Sequence, residues 1–255
     1  MSGLLDGVRV VVTGASRGIG QASAVAMARE GAEVVTFART NQDWIATDPA
    51  AARLHPIELD VADPAAVEAT VAQARTALGG IDVLVNNAGV PGPEGPLWTT
   101  DPAAAASALA INTLGPYHLM RAVLPEMIER GSGVVINVSS GAAVRPKAEK
   151  AWYGATKAAL DHLVGAAALE LAGTGVRIHT IHPGPVDTAL NYANRRGATA
   201  DERARLRPPS EVATLITWLA SPAGDAVAGE ELITWREDSV KERLRAFAGF
   251  PAPVG

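Results

Sequence analysis

Tyr153 and Lys157 lie four residues apart, a spacing that places both side chains on one face of a helix. A free phenol, with a pKa of about 10, is too weakly acidic to exchange its proton readily near neutral pH. A neighbouring ammonium favours the phenolate, so Lys157 is predicted to lower the pKa of Tyr153. Tyr153 then becomes a usable acid toward a carbonyl oxygen and a usable base toward an alcohol. The spacing alone is a weak signal, because most such pairs are simply exposed.

The surrounding sequence predicts how such a pair is positioned. Apolar, β-branched runs alternate along the chain with Ala-rich stretches of helical period. The predicted strands are Val8–Thr13, Glu33–Ala38, Leu54–Glu58, Val83–Asn86, Gly133–Ser139, Arg177–His182 and a weaker Glu231–Thr234. The predicted helices are Gly18–Glu30, Pro64–Ala77, Ala103–Arg130, Trp152–Ala172 and Glu211–Ala220. Continuous hydrophobicity suits strands that are buried on both faces of a parallel sheet. The chain is therefore predicted to be one α/β domain over residues 1–255, a doubly wound, Rossmann-type parallel sheet with helices on both faces.

Helix starts and loops refine this prediction. Asp63 precedes Pro64 and Asp101 precedes Pro102, and each pair fits an N-cap followed by proline at the first helical position. The Pro- and Gly-rich Val90–Pro96 and the polar, Arg-rich Leu190–Pro209 interrupt the alternation of elements. Loops after strand ends border the ligand crevice of an open α/β sheet, so both are predicted to face a substrate. Plain surface connections are the alternative.

The turn after the first strand predicts a dinucleotide site. The segment Thr13–Gly20 is rich in glycine, and a helical pattern begins at once. Glycines allow a tight turn and a close approach of the backbone, and the following helix presents free N–H groups to a pyrophosphate. The spacing is G-x-x-x-G-x-G and not the commoner G-x-G-x-x-G.

The end of the second strand predicts which dinucleotide binds. An NAD site usually has an acidic residue here to hold the ribose 2′-hydroxyl, but this chain has Ala38 followed by Arg39. Arg39 and Arg17 can together grip a 2′-phosphate, since guanidinium groups offer forked donors to phosphate oxygens. NADP(H) is therefore predicted in preference to NAD(H). The alternative is that both arginines are merely solvated.

Several motifs in order identify a family resemblance. Asn86-Asn87-Ala88-Gly89, Asn112, Ser139-Ser140 and the Tyr153–Lys157 pair follow the glycine-rich turn with the spacing of a single-domain short-chain dehydrogenase/reductase. The chain resembles that family over about residues 6 to 235. The resemblance implies that Tyr153 is the acid–base, that Ser140 orients the substrate oxygen and that Asn112 holds a water molecule linking Lys157 to solvent. Ser139 is the weaker candidate of the two serines.

The resemblance also implies cofactor contacts along the whole site. Asp60 would contact the adenine amine, Asn86 would brace its strand, and the backbone of Val186 and the hydroxyl of Thr188 would address the carboxamide. The implied cofactor-binding residues are Gly14, Ser16, Arg17, Gly18, Ile19, Gly20, Arg39, Asp60, Val61, Asn87, Ala88, Gly89, Tyr153, Lys157, Pro183, Gly184, Val186 and Thr188. The family often has Asn before this Pro-Gly, where the chain has His182. That histidine invites an acid–base role, but a structural role is favoured.

The substrate remains open, because the fold serves many carbonyl substrates. The predicted pocket wall is Val90, Pro91, Gly141, Val144, Trp152, Pro185, Leu190 and Tyr192, and its aromatic members favour a flat or apolar ketone. Packing at the helix start is the alternative role for Trp152. Arg145, Lys147 and Lys150 form a basic loop that attracts an anionic substrate or is merely solvated.

Acyl-carrier-protein reductases resemble the chain closely and typically carry basic residues that dock the acidic carrier. Arg130 is one such candidate, but the second expected position falls in Ala172–Gly175, which contains no base. The segment after Thr234 lacks the family's Asp-Gly-Gly ending, so about residues 236–255 form a variable tail. This end commonly packs between subunits, and a homo-oligomer, a tetramer or a dimer, is expected.

Composition narrows the possible partners. A net charge of −5 argues against nucleic acid, and the absence of cysteine excludes disulfides, thiolate metal sites and a cysteine nucleophile. No metal is predicted. The first residues have no basic region followed by an apolar one, and the run Val8–Val12 is too short to span a bilayer, so a cytoplasmic protein that binds no membrane is expected.

Three functions are compatible with these features. The leading one is NADPH-dependent reduction of a ketone or aldehyde, a small-molecule carbonyl substrate. The second is oxidation of an alcohol, or carrier-bound ketoreduction, in secondary metabolism, since hydride transfer is reversible. The third is an idle NADP(H)-binding sensor, against which the complete set of Ser140, Tyr153, Lys157 and Asn112 argues.

Overall fold

Seven parallel strands form the centre of the computed structural model, which describes residues 3–40, 42–192, 199–204, 206–227 and 232–234. The strand order is β3-β2-β1-β4-β5-β6-β7. The strands are β1 Arg9–Thr13, β2 Glu33–Ala38, β3 Leu54–Glu58, β4 Val83–Asn86, β5 Gly133–Val138, β6 Val176–His182 and β7 Leu232–Thr234. Val10 of β1 pairs with Val34 of β2 on one side and Val83 of β4 on the other. The order reverses between β1 and β4, which is where an open α/β sheet opens a ligand crevice.

Helices cover both faces of the sheet. They are α1 Gly18–Arg29, α2 Pro64–Leu78, α3 Pro102–Leu109, α4 Gly115–Arg130, α5 Ala151–Glu170, α6 Ala189–Tyr192, α7 Ala200–Ala204 and α8 Pro209–Ala220. Val10 and Val12 of β1 pack in one core with α1 and α8, whereas Val11 packs in the other core with α2, α4 and α5. Successive residues of a strand point to opposite faces, so burial on both faces requires unbroken hydrophobicity. The predicted doubly wound α/β fold is thus confirmed. No helix within the described ranges has the length and apolar character needed to cross a membrane.

The predicted secondary structure differs most at the helix Ala103–Arg130, and two short helices, α6 and α7, also lie in the segment predicted as a loop, Leu190–Pro209. The predicted helix Ala103–Arg130 is interrupted by a π-helical turn, Ala110–Leu114, between α3 and α4. The side chain of Asn112 in this turn exchanges hydrogen bonds with the backbone of Val90 (2.8 and 2.9 Å) and donates to Thr156 Oγ1 (3.0 Å). An inserted residue that is held by such contacts breaks the α-helical register, and π-turns of this kind are frequent at functional sites.

Both predicted Asp-Pro helix starts are confirmed. Asp63 Oδ1 accepts hydrogen bonds from the backbone N–H groups of Ala65 and Ala66 at 2.9 and 3.1 Å, and Asp101 caps α3 in the same way. Asp63→Ala is expected to lower the free energy of unfolding by about 1 kcal/mol, because two N–H groups lose their acceptor. Urea unfolding at neutral pH measures the loss. Asp63→Asn is the matched control, since it keeps the acceptor, and equal losses in the two variants would contradict the capping role.

Candidate active site

Two glycines shape the turn between β1 and α1. Gly14 has a φ of +65°, and a Cβ added there would lie 2.8 Å from Ala88 Cα. A Cβ on Gly20 would lie 2.4 Å from Gly14 O, so any side chain at either position forces the backbone apart. Arg17 is the N-cap of α1, and its guanidinium, which has no acceptor, leaves the first N–H groups of the helix uncapped. The first N–H groups of α1 are therefore available for an anionic ligand, as a bound pyrophosphate requires.

Thr13 and Asn87 join the turn to the end of β4. The backbone N–H groups of Asn87 and Ala88 donate to Thr13 Oγ1 at 2.9 and 3.0 Å, and Asn87 Nδ2 donates to Thr13 O at 2.8 Å. Asn86 is buried and its side chain donates to Asn137 Oδ1 at 2.9 Å, the expected bracing position. Sequence reasoning assigned no role to Thr13 or Asn137. The sequence feature that could have indicated Asn137 is an amide side chain in the middle of a buried strand.

One cavity of about 1700 Å³ extends along the carboxyl ends of the strands. It exceeds the roughly 300–1,000 Å³ of a pocket for one drug-sized ligand, so it has room for a dinucleotide and a substrate together. The predicted cofactor residues that line it are Gly14, Ser16, Arg17, Gly18, Ile19, Arg39, Asp60, Val61, Asn87, Ala88, Gly89, Tyr153, Lys157, Pro183, Gly184, Val186 and Thr188. Gly20 is buried beneath the turn and does not line the cavity.

The far end of the cavity carries the two predicted phosphate-binding arginines. Arg39 directly follows β2 and Arg17 precedes α1, and both side chains are exposed at the cavity wall. Within the described part of the chain, neither is in an ion pair. Asp60 also lines the cavity and accepts a hydrogen bond from Ala62 N at 3.0 Å, which fixes the turn after β3.

Tyr153 and Ser140 meet at the other end. Ser140 follows β5, Tyr153 lies in the first turn of α5, and a hydrogen bond joins their side chains. Burial raises the pKa of Tyr153, and the hydrogen bond with Ser140 lowers it by less. The lowering expected from Lys157 is not found, because loss of hydration disfavours the phenolate more than the hydrogen bond with Ser140 favours it. Tyr153 is therefore protonated at neutral pH.

Lys157 lies one helical turn beyond Tyr153 and is only 4 % exposed. Its Nζ donates to the carbonyl oxygen of Val138 at 2.9 Å. Burial lowers the pKa of Lys157 from 10.5 to about 8, and the carboxylate of Asp161 acts in the opposite direction. The ammonium is thus retained near neutral pH but titrates within reach of a mildly alkaline solution.

Asn112 is fully buried and does not line the cavity. Its hydrogen bonds to Val90 and Thr156 tie the loop after β4 to α5, the helix that carries Tyr153 and Lys157. The structure thus gives Asn112 a bracing position at the catalytic end. Its role in holding a water molecule stays a prediction.

The expected substrate wall is formed in part. Its members that line the cavity are Val90, Pro91, Gly141, Val144, Pro185 and Leu190. Trp152, whose position the structure describes, does not line it, since its indole nitrogen donates to Thr100 Oγ1 at 3.2 Å. The side chain of Tyr192 lies outside the described residues. Ser139 also lines the cavity, but its hydroxyl is buried without a hydrogen-bond partner among the described residues.

Basic side chains dominate the substrate end. Arg145, Lys147 and Lys150 of the expected basic loop all line the cavity, as does Arg207, which sequence reasoning did not single out. Lys150 pairs with Glu94 at 2.8 Å and so connects this loop to Val90–Pro96. No acidic residue at this end belongs to the described lining.

His182 ends β6 and, like Lys157, lines the cavity. Its Nε2 lies 2.8 Å from Oδ2 of Asp161, and its side chain is 4 % exposed. Sequence reasoning missed Asp161. The available signal was a carboxylate four residues after Lys157, on the helix face that already carried the predicted catalytic pair.

A model of the short chain dehydrogenase family matches residues 9–198 of this chain. The chain therefore belongs to the short-chain dehydrogenase family, and it is an oxidoreductase of the kind that acts on alcohols and ketones with a nicotinamide cofactor.

Curated relatives span nearly the whole chain. The 3-oxoacyl-[acyl-carrier-protein] reductase of Vibrio cholerae is 34% identical, with 89% of this chain and 96% of the relative covered. The cis-4-hydroxycyclohexanecarboxylate dehydrogenase of Sinomonas cyclohexanicum is 37% identical, with 86% and 91% covered. Among solved structures, levodione reductase superposes with a TM-score of 0.83 at 26% identity, covering 93% of this chain and 99% of its own.

Proposed function

We propose that this protein is an NADP(H)-dependent reductase that converts a ketone or an aldehyde to an alcohol. The observation that carries the proposal is the Tyr153 side chain hydrogen-bonded to Ser140 and one helical turn from the buried Lys157, all on the wall of one large cavity. A side chain with its proton in place at neutral pH is suited to the acid role that carbonyl reduction needs.

The residues present fit a dinucleotide. The uncapped start of α1, the Gly14 turn and Arg17 would hold its phosphates, and Lys157 would bind the ribose hydroxyls of its nicotinamide half. Pro183, Gly184, Val186 and Thr188 would hold the carboxamide end. When bound, a nicotinamide supplies the hydride for the substrate carbon.

The chain itself supplies the proton and the orientation. Ser140 would hydrogen-bond the substrate oxygen, and the Tyr153 hydroxyl would give its proton to that oxygen as the carbon is reduced. The Lys157 ammonium would stabilise the phenolate left on Tyr153. Asn112 would hold the loop and helix that carry this set, and also the water molecule through which the proton is replaced.

The preference for NADP(H) rests on charge. Arg17 and Arg39 lie at the ribose-phosphate end, and Ala38 stands where an NAD site usually has a carboxylate. Ala38→Asp is expected to lower the ratio of kcat/KM for NADPH to that for NADH by about tenfold or more, because the new charge repels a 2′-phosphate.

Ala38→Asn is the matched control, since it has the same size without the charge. Initial rates with the two cofactors measure the ratio. An unchanged ratio in Ala38→Asp would mean that the cofactors are discriminated elsewhere than at the end of β2. A tighter fit of the parent for NADH than for NADPH would contradict the role of Arg39.

Carrier-bound ketoreduction is the second candidate, favoured by the Vibrio cholerae relative. The expected docking residue Arg130 is, however, engaged with Glu126 at 3.1 Å and Asp82 at 3.4 Å. Small carbonyl substrates are therefore the better proposal. Oxidation of an alcohol uses the same groups in reverse, and a sensor without activity leaves the Ser140–Tyr153–Lys157 arrangement unexplained.

We also infer a cytoplasmic homo-oligomer, a dimer or tetramer. Exposed apolar side chains on α4 and α5 support it, among them Tyr117, Ile128 and Leu169. Sedimentation equilibrium measures the assembly.

The deciding assay follows absorbance at the nicotinamide band with NADPH or NADH across a panel of ketones, aldehydes and alcohols. Turnover of a carbonyl with NADPH preferred supports the proposal. Cofactor binding without turnover of any panel member would favour the sensor.

A further inference from the structure

A buried group of three charged or titratable side chains lies beneath the catalytic end of the cavity. Lys157 and Asp161 are one helical turn apart on α5, and His182 reaches them from the end of β6. The reaction described above uses Lys157 and leaves the other two without a role.

The contact between Asp161 and His182 is close and shielded. His182 Nε2 donates to Asp161 Oδ2 at 2.8 Å, with the two side chains 4 % and 19 % exposed. Asp161 Oδ1 is buried and has no hydrogen-bond partner among the described residues. A carboxylate in such a place is costly unless a nearby positive charge compensates for lost hydration. Lys157 is the cation one turn away.

The surroundings of Lys157 contain few other charges. The titratable groups on its own helix that lie within one turn of it are Tyr153 and Asp161, whereas His162 and Glu170 of the same helix are exposed, and β6 contributes His182. The other packed elements present neutral groups, within the part of the chain that the structure describes: the Val138 carbonyl of β5, the amide of Asn112 and the backbone at Gly89. Asp161 is thus the negative charge that can offset the burial of the ammonium.

We propose that Asp161 and His182 form a positioning pair that keeps Lys157 in its ammonium form beside Tyr153. His182 holds the carboxylate in place by donating one hydrogen bond, and the carboxylate supports the ammonium. The electrostatic effect of Asp161 on Lys157 has the required direction, since it raises the pKa that burial lowers. The kinetic consequence rests on the proposed reductase function, but the charge state of Lys157 does not.

Because the charge state of Lys157 does not depend on reductase activity, the experiment measures that charge state directly. The chain has four lysines, at positions 147, 150, 157 and 241, so lysine labelled with ¹³C at Cε gives four signals to follow by NMR. Lys157→Met assigns the signal of Lys157. Its titration midpoint is expected at about 8 in the parent protein.

Asp161→Asn is expected to move this midpoint down by about one pH unit or more, since the loss of a nearby opposite charge shifts a pKa by that amount. Glu170→Gln is the matched control, because it removes a carboxylate from the exposed end of the same helix, and the midpoint should stay in place. An equal midpoint in Asp161→Asn and the parent overturns the proposal.

His182 is tested by two variants. His182→Gln keeps a hydrogen-bond donor near Asp161 and is expected to retain the parent midpoint, whereas His182→Ala is expected to lower it. A parent-like midpoint in a folded His182→Ala removes His182 from the pair. If that variant does not fold, a midpoint in His182→Gln as low as in Asp161→Asn does the same.

The kinetic readout is the pH profile of kcat/KM for reduction between pH 6 and 10. If reduction requires charged Lys157, kcat/KM of Asp161→Asn begins to fall on the alkaline side about one pH unit below the point where kcat/KM of the parent does. A merely structural role for Asp161 lowers the whole profile without moving this limb. A shifted NMR midpoint in a protein without reductase activity would contradict the proposed function and leave the pair intact.

Discussion

Replacing Tyr153 with phenylalanine is expected to lower kcat for carbonyl reduction by a factor of about 10² to 10⁴, the range that a positioned acid–base contributes. The ring stays in place, so packing against the cavity wall changes little. The lost hydroxyl is the one with a hydrogen bond to Ser140 and a proton retained at neutral pH. Among the described residues that line the cavity, no other side chain is a phenol next to Lys157. No neighbouring hydroxyl therefore takes over the proton transfer.

Steady-state rates measure the loss, and quenching of protein fluorescence by NADPH shows that cofactor binding persists. The two serines provide a matched comparison at the end of β5. Ser140→Ala should also lower kcat, because Ser140 contacts Tyr153, whereas Ser139→Ala should change it little, because the Ser139 hydroxyl has no hydrogen-bond partner among the described residues. Activity of Tyr153→Phe within tenfold of the parent would rule out the proposed acid.

The strands could be predicted because their signal is local. In β2, β3 and β4 the predicted bounds Glu33–Ala38, Leu54–Glu58 and Val83–Asn86 agree with the structure. Burial on both faces of β2 and β4 demands continuous apolar runs, and such runs end abruptly at polar or glycine residues. The edge strand β3, which is buried only at Leu54, lacks such a run. The positions of the cavity residues could then be predicted from the strands, since the carboxyl ends of parallel strands meet at one edge of the sheet.

The π-turn at Ala110–Leu114 could not be predicted in the same way. Its cause is the side chain of Asn112, whose partners Val90 and Thr156 lie 22 and 44 residues away in sequence. The one local feature near the break is Gly115-Pro116 at the start of α4, which was read as part of a continuous helical period.

The electrostatic effects at the site could not be predicted for a related reason. The lowered pKa expected for Tyr153 considered its neighbour Lys157 and neglected burial, which is the larger effect. Burial depends on packing between α5, β5 and the loop after β4, and spacing along one helix contains no information about that packing. The contact between Asp161 and His182 was missed for the same reason, because it joins α5 to β6.

Lys157→Met is expected to abolish activity and yet to leave the protein at least as stable as the parent near pH 7. Burial lowers the pKa of Lys157 from 10.5 to about 8, and a difference of that size corresponds to roughly 3 kcal/mol that the folded state loses by holding the ammonium. Methionine has a similar length and no charge. The variant leaves the Val138 carbonyl without its donor, which costs about 1–3 kcal/mol and offsets the gain.

The sign of the pH dependence distinguishes this account from a general packing effect. Between about pH 8 and 10.5 the unfolded chain still binds a proton at Lys157 and the folded chain does not, so the stability of the parent rises with pH through this group. The variant lacks that rise. Its advantage over the parent should therefore shrink by about 2–3 kcal/mol between pH 7 and 10 in urea unfolding.

Lys147→Met, which removes an exposed lysine from the cavity mouth, should follow the parent curve. Parallel curves for the parent and Lys157→Met would mean that the ammonium is not buried at a cost. If Lys157→Met instead relieves a measured cost, the folded protein holds the charge of Lys157 at the expense of its own stability. That is expected of a group that is kept for its chemistry.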